Sequence, residues 1–325
     1  MSAVVSCHRR TGVRHAGAVT ADRLLLLDSA SLYFRAFYGV PESTVAPDGT
    51  PVNAVRGFLD FIARLVTDHR PTHLVACWDD DWRPQFRVDA IPSYKAHRLA
   101  GPVDQEEVPD TLTPQVPIIV AALAALGIAR VGAPGFEADD VIGTLCAQAA
   151  GPVLAVTGDR DIFQVVDDKR NIRVLYTAAK GVANAEVITE AVIETKYGVP
   201  GSSYADFAAL RGDPSDGLPG VKGVGDKTAA TLIRAYGSLA GIMTAAREGT
   251  PGMKPAVRTN ILAATDYLLV APTVVRIVTT CPLPAHDASL PTTPADPAAL
   301  TQLALQWNLT SSVTRVLKAL SAAAN

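Results

Sequence analysis

The sequence predicts an α/β fold in which a mostly parallel central sheet carries helices on both faces. Short apolar runs of the kind that form buried strands alternate with segments of helical periodicity along the first part of the chain. Three of these runs end beside an aspartate, at Asp28, Asp79 and Asp159. Strands joined by helical crossovers pair in parallel, and their carboxyl ends meet at one edge of the sheet, where binding sites are commonly built.

The predicted strands are short and rich in aliphatic residues. They are residues 24–27, 74–78, 153–157 and 172–176. Helices are predicted where apolar residues recur at a spacing of three and four. They are residues 31–38, 53–68, 116–126, a helix beginning at 137–140, then 189–197, 206–211, 227–236, most of 253–280, and one helix at 299–321. Gly127 and Gly237 are placed to end two of them, and five prolines mark 281–298 as a connector.

Composition limits the class of protein. The chain has 325 residues, 48% hydrophobic and 19% charged, which suits one large globular domain or two smaller ones. No apolar run is long enough to span a membrane. Residues 1–20 contain arginines but no apolar stretch, so we interpret them as a disordered tail and not as a secretory signal. The scattered cysteines lack zinc-like spacing and fit a reducing cytoplasm.

The net charge of −3 is not the basic balance of a typical nucleic-acid-binding protein. Acidic side chains are concentrated instead. Glu137, Asp139 and Asp140 open a predicted helix, and Asp159 and Asp161 follow a predicted strand. Either cluster alone has an ordinary explanation, since acids favour a helix's first turn and aspartate favours turns. Together with the aspartates that end the other strands, they predict a site for cations held by oxygen ligands.

Two further segments carry possible binding residues. Residues 80–115 are polar, charged and too long for an ordinary connection, and such segments are usually functional or disordered. Residues 211–229 contain Asp213 and Asp216, then a Gly-x-Gly turn before a helix, with a lysine on either side. Such a turn offers backbone N–H groups to a phosphate. The alternative is a tight corner between two helices with no ligand.

Several blocks of sequence carry a family resemblance. They are residues 26–38, 53–58, 93–98, 135–145, 157–161 and 212–225. Jointly they resemble the bacterial 5′→3′ exonuclease and flap endonuclease family, which includes the N-terminal exonuclease domain of DNA polymerase I. The resemblance covers nearly the whole chain from residue 24. No polymerase domain follows, so we expect the protein to act alone.

The resemblance implies a domain organisation. Residues 21–198 would form a PIN-like catalytic α/β domain, with a helical arch at 80–115. Residues 199–325 would form a helical DNA-binding region with a helix–three-turn–helix at 206–237.

The resemblance also implies the residues of the site. The metal ligands would be Asp28, Asp79, Glu137, Asp139, Asp140, Asp159, Asp161, Asp213 and Asp216. The catalytic residues would be Lys95, Arg98, Asp28, Asp79, Asp140 and Asp159. The DNA-binding residues would be Arg35, Arg87, Tyr94, Lys95, Arg98, Lys222, Gly223, Gly225, Lys227 and Thr228. The sequence departs from the family at Ser29 and at residues 80–82. It also departs at Gly217, a position at which the family usually has asparagine.

The implied activity is that of a structure-specific 5′ nuclease, a 5′→3′ exonuclease and 5′-flap endonuclease, in DNA replication and repair. It would use two or more Mg²⁺ or Mn²⁺ ions, and K⁺ at the helix–three-turn–helix. Its partners would be 5′-flap, nicked or branched DNA, with a polymerase and a ligase as functional partners. We expect a monomer without membrane contact, located in the cytoplasm with the nucleoid.

Two alternatives remain open from the sequence. The first is a non-catalytic protein that binds branched DNA through the corner at 211–236 and keeps its acids for ions or folding. The second is a metal-dependent ribonuclease of the PIN-like class. The corner and the long arch favour branched DNA over RNA.

Overall fold

The computed structural model describes residues 23–99 and 107–323. The predicted tail at 1–20 and residues 100–106 of the predicted arch lie outside the described residues.

The core of the fold is a six-stranded sheet. Its strands are β1 (Leu24–Asp28), β2 (His73–Cys77), β3 (Ala129–Val131), β4 (Val153–Thr157), β5 (Ile172–Tyr176) and β6 (Glu186–Ile188). Their order is β3-β2-β1-β4-β5-β6. All neighbours are parallel except β5 and β6. The prediction of a mostly parallel sheet is confirmed. The sequence missed β3 and β6, because three residues are too few to show a pattern.

Alternate residues of the central strand β1 face two separate cores. Leu25 and Leu27 lie fully buried in one, and Leu26 lies in the other. This is the period of two that a strand imposes on its side chains. Because both faces of the sheet are covered, the sequence of β1 is an unbroken run of leucines and does not alternate between apolar and polar residues.

Seven helices accompany the sheet or its connections. They are α1 (Ser29–Gly39), α2 (Asn53–His69), α3 (Gln85–Ala90), α4 (Gln115–Leu126), α5 (Ala138–Gln148), α6 (Glu190–Tyr197) and α7 (Tyr204–Arg211). Helices α1, α2 and α4 contribute to the core of Leu25, while α5 and α7 contribute to the core of Leu26. Gly127 ends α4 at a φ of 80°, as the sequence predicts.

Six helices complete the chain. They are α8 (Asp226–Tyr236), α9 (Leu239–Glu248), α10 (Pro255–Ala263), α11 (Thr265–Val275), α12 (Pro297–Gln306) and α13 (Thr310–Ala323). The single helix predicted at 299–321 is therefore two helices. Asn308, with a left-handed φ of 53°, lies in the break between them.

The last helix packs away from the helical region to which the sequence assigns it. Val316 and Leu320 of α13 belong to the same buried cluster as Phe58 of α2. Arg315 adds hydrogen bonds to the carboxylate of Asp60, the closest at 2.8 Å. The final helix of the predicted helical region 199–325 therefore packs against α2, in the core that Leu25 faces. Within the described residues, no helix is long and apolar enough to cross a bilayer.

Candidate active site

Acidic side chains gather where β1, β2 and β4 end and α5 begins. Five of them line a cavity of about 160 Å³ together with Lys95 and Arg98: Asp28, Asp79, Glu137, Asp139 and Asp159. A smaller adjoining cavity is lined by Asp159, Asp161 and Asp216 among others. Asp213 lines a groove that also touches Asp28 and Asp159. The structure therefore brings eight of the nine predicted ligands around three adjoining hollows.

Local structure fixes the first two of these carboxylates. Asp28 ends β1 and caps α1, where it accepts a hydrogen bond from the Ser31 amide at 3.2 Å. It also accepts one from the Thr157 hydroxyl on the neighbouring strand at 2.5 Å. Asp79 follows β2 and accepts from the Ala138 amide at 2.8 Å, which ties this strand end to the start of α5.

The acids after β4 are held by a tight turn. The amide of Asp159 donates to the Thr157 hydroxyl at 2.8 Å. The carboxylate of Asp159 then accepts from the amide of Asp161, also at 2.8 Å. Asp159 touches all three hollows and lies at the centre of the acidic group.

Burial and mutual repulsion make these carboxyls weak acids. Burial raises the pKa of Asp28 to about 6, and the charge of Asp159 adds to the rise. Burial, followed by the charge of Asp28, raises the pKa of Asp79 to about 7. Burial is also the largest cause of the rise in the pKa of Asp216 to about 6. Fully ionised, the group therefore needs cations, and its all-oxygen donor set suits Mg²⁺ or Mn²⁺.

Positively charged side chains balance part of the negative charge of these carboxylates. Lys95 pairs with Glu137 and donates to the Trp82 carbonyl at 3.3 Å. Burial opposes the charged form of Lys95, but Glu137, Tyr94 and Asp216 together outweigh it, and the pKa of the lysine lies well above its usual value. Arg98 pairs with Asp216 at 3.1 Å. Across residues 23–99 and 107–323, no three His, Cys, Asp or Glu side chains form a ready-made metal site.

Two of the predicted site residues, Asp140 and Arg87, are buried behind the first turn of α5. Asp140 is fully buried and accepts hydrogen bonds from Arg87 at 2.6 and 2.9 Å and from the Val278 amide at 2.9 Å. It therefore supports α5 from behind and does not line the hollow as a metal ligand or catalytic group. Arg87 is 3% exposed and also pairs with Glu137. Arg87 lines the smaller cavity but not the cavity beneath Lys95.

Tyr94 is a third predicted site residue that is buried. It is 4% exposed, and its hydroxyl donates to Glu137 at 2.7 Å. The ring is therefore part of the support of Glu137, where the sequence predicts a side chain that faces DNA. Lys95 and Arg98, the two predicted catalytic cations, do line the cavity.

The predicted phosphate-binding turn forms an exposed loop before α8. Val221 and Val224 are buried and anchor it, while Lys222, Gly223, Gly225 and Lys227 are exposed between and after them. Thr228 is half-buried in the first turn of the helix. Sequence reasoning missed Asn260, whose amide donates to the Lys222 carbonyl at 2.8 Å and holds the loop in place. No local signal marks a contact between residues so distant in sequence.

A groove of about 990 Å³ leads away from the acids on the side of α1. The predicted Arg35 lines it, together with two cations that the sequence analysis did not select, Arg160 and Lys180. The aromatic ring of Tyr38, 73% exposed, lies at its wall. Arg160 could have been found, since it stands between two of the predicted ligands in Asp-Arg-Asp.

The raised pKa values predict how metal ions stabilise the fold at different pH. The folded state holds protons on Asp28, Asp79 and Asp216 that the unfolded state releases near pH 3.8. The contribution of these groups to stability is therefore greatest below that pH and is lost as pH rises through about 6 to 7. Magnesium replaces the protons, so it should raise the melting temperature strongly at pH 7.5 and little at pH 5.

Thermal melting in EDTA and in excess magnesium at the two pH values measures this difference. Asp79→Asn should lose much of the pH-dependent difference in stabilisation by magnesium, because the substituted amide neither titrates nor carries a charge. Equal stabilisation by magnesium at both pH values would contradict the assignment of these acids as ligands.

Comparisons with known proteins agree on one family. Two family models match successive parts of the chain. A model described as a 5′-3′ exonuclease, N-terminal resolvase-like domain, matches residues 23–198. A second, described as a 5′-3′ exonuclease, C-terminal SAM fold, matches residues 199–298.

Curated relatives carry the same description. A 5′-3′ exonuclease of Streptomyces coelicolor is 60% identical over 303 residues, which cover 92% of this chain and 100% of that protein. A 5′-3′ exonuclease of Mycobacterium tuberculosis is 52% identical over 310 residues, covering 91% and 97%. DNA polymerase I of the same species is 46% identical over 235 residues, which are 70% of this chain and 25% of the polymerase.

Solved structures show the same fold. The T5 D15 protein, co-crystallised with metal ions, superposes with a TM-score of 0.62 at 16% identity, covering 92% of this chain and 99% of that one. The catalytic core of Rad2 in complex with DNA substrate superposes with a TM-score of 0.55 at 17% identity, covering 91% of each.

Proposed function

The chain belongs to the 5′-3′ exonuclease family of nucleases, and from this premise we propose that it hydrolyses DNA at 5′ ends and 5′ flaps with divalent metal ions. One observation carries the metal-dependent part of the proposal. Asp28, Asp79, Glu137, Asp139 and Asp159 line one cavity beneath two cationic side chains. Such an arrangement suits a phosphodiester held between metal ions and protein cations.

The carboxylates divide into two groups by position. Those at the strand ends and the start of α5 would hold one Mg²⁺ or Mn²⁺ ion: Asp28, Asp79, Glu137, Asp139 and Asp159. Those further along the cleft would hold a second, through Asp161, Asp213 and Asp216. When bound, the ions activate a water molecule and stabilise the leaving oxygen. Several carboxylates would hold metal-bound waters, since magnesium keeps part of its hydration shell.

Lys95 and Arg98 would contact the phosphate that is cut. Both line the cavity together with the carboxylates at the strand ends. A fixed positive charge beside the phosphate stabilises the negative charge that develops on its oxygens. Burial of Lys95 against Tyr94 and Glu137 limits its movement, so it is oriented before substrate arrives.

The exposed loop 222–227 would bind duplex DNA. Its backbone N–H groups and two lysines are the donors that a phosphate backbone needs. A K⁺ ion at this loop is proposed from the family resemblance. Because these contacts reach backbone and not bases, recognition should follow DNA shape, and affinity should fall with salt.

Several comparisons support the proposal. One T5 D15 structure is described as a pseudo-enzyme-product complex with DNA and metal ions, and Rad2 was solved with DNA substrate. The DNA polymerase I relatives join a similar segment to a longer protein, which supports a functional link to a polymerase. We further propose that the protein acts as a monomer in the cytoplasm with the nucleoid, before a ligase seals the product.

Labelled 5′-flap DNA and its RNA counterpart test the proposal. Incubation with magnesium should cleave the DNA flap near its junction, and EDTA should stop the reaction. Binding without cleavage under all conditions would instead identify a branched-DNA-binding protein. Preferential cleavage of the RNA would identify a ribonuclease.

A further inference from the structure

The segment that carries the two cations lies directly on the turn that carries the last two acids. Ser93 donates from its hydroxyl to the Gly217 carbonyl at 2.9 Å. The amide of Lys95 donates to the Asp216 carbonyl at 3.0 Å. Arg98 donates to the Ser215 carbonyl at 2.8 Å. We call residues 93–98 the arch base and residues 213–217 the acidic turn.

Gly217 permits this close approach. It has a φ of 72°, a left-handed value. A β-carbon added there would lie far inside van der Waals contact with the Ser93 carbonyl oxygen, and close to the Lys95 amide. Both obstacles are backbone atoms, so neither can move aside as a flexible side chain would. Only glycine therefore fits at this position while the arch base stays where it is.

We propose that Gly217 is a positioning residue, which lets the arch base dock on the acidic turn and thereby sets where Lys95 and Arg98 stand over the carboxylates. This inference rests on the proposed function, since it assigns Gly217 a role in the same reaction.

The docking contacts are of two kinds with different sensitivity to metal ions. The carbonyls of Ser215, Asp216 and Gly217 accept the hydrogen bonds, and none of these bonds uses a carboxylate. The ion pairs from Lys95 to Glu137 and from Arg98 to Asp216 do use carboxylates. The backbone contacts would therefore hold the arch base in place even if those ion pairs were broken.

Hydrogen exchange of the Lys95 amide tests the docking in the protein alone, without DNA or metal. Gly217→Asn introduces a β-carbon in a residue that tolerates left-handed φ, so backbone strain is small. We expect the Lys95 amide to exchange about tenfold faster in this variant, because its hydrogen bond to Asp216 is lost. Ser93→Ala removes only the hydroxyl contact and should give a smaller rise, about threefold.

Gly49→Asn is the matched control. Gly49 also has a positive φ, of 89°, but an added β-carbon there meets nothing within 4 Å. It should leave Lys95 exchange unchanged. Unchanged exchange in Gly217→Asn, or an equal rise in the Gly49→Asn control, would overturn the proposal.

Kinetics then separate positioning from general support of the fold. In Gly217→Asn, the single-turnover rate on saturating 5′-flap DNA should fall about tenfold, with the flap dissociation constant within twofold of wild type. A rate that stays at the wild-type value, or a loss of affinity equal to the loss of rate, would refute a positioning role. If the wild type does not cleave at all, the proposed function fails, and the exchange experiment still decides whether the arch base docks through Gly217.

Discussion

Asp159→Asn is expected to lower the rate of magnesium-dependent 5′-flap cleavage by about a thousandfold. Asp159 lines the cavity beneath Lys95, the adjoining cavity and the groove beside α1. Its charge also contributes to the raised pKa of Asp28, Asp139 and Asp161. The asparagine keeps the size of the side chain but removes one charge and one strong ligand oxygen.

Affinity for the flap should change by less than about threefold in the same variant, because the loop 222–227, which we propose contacts the DNA backbone, lies elsewhere. Cleavage is measured under single-turnover conditions in magnesium, and binding is measured in EDTA. Asp168→Asn is the control, since it makes the same chemical change at an exposed carboxylate outside the hollows. Full activity of Asp159→Asn would remove the central ligand from the proposed site.

The parts of the fold that sequence predicts are those whose signal is local. Strands β4 and β5 have the predicted bounds, because each is a five-residue segment of mostly apolar, β-favouring residues. The convergence of acids follows from topology alone, since parallel strands bring Asp28, Asp79 and Asp159 to one edge. No distant contact has to be known for either inference.

The parts that sequence does not predict depend on tertiary contacts. Asp139 and Asp140 are adjacent in the first turn of α5, yet only Asp139 lines the hollow. Successive helical residues point about 100° apart, so the two carboxylates face different directions. The sequence does not say which of them faces the hollow. Hydrogen bonds from Arg87, more than fifty residues earlier, and from the amide of Val278, far beyond, hold the Asp140 carboxylate away from the hollow.

Arg87→Ala should cost about 3–5 kcal/mol of unfolding free energy. Arg87 is buried between Glu137 and Asp140, and it also donates to the Val274 carbonyl at 3.1 Å on α11. Removing it leaves the buried Asp140 carboxylate without a cation and leaves Glu137 with Lys95 alone. It also removes the hydrogen bond that joins α3 to α11. Urea unfolding followed by circular dichroism measures the loss.

Arg64→Ala provides the contrast, because Arg64 is 53% exposed and pairs with Asp68 one helical turn away. Its loss should cost less than about 0.5 kcal/mol, as for other exposed pairs. Arg87→Ala/Asp140→Leu should recover part of the stability lost in Arg87→Ala, since it removes one unpaired carboxylate along with the arginine. A loss of unfolding free energy for Arg87→Ala as small as that for Arg64→Ala would mean that water reaches these carboxylates in solution. Arg87 would then not be the residue that holds Glu137 in the hollow.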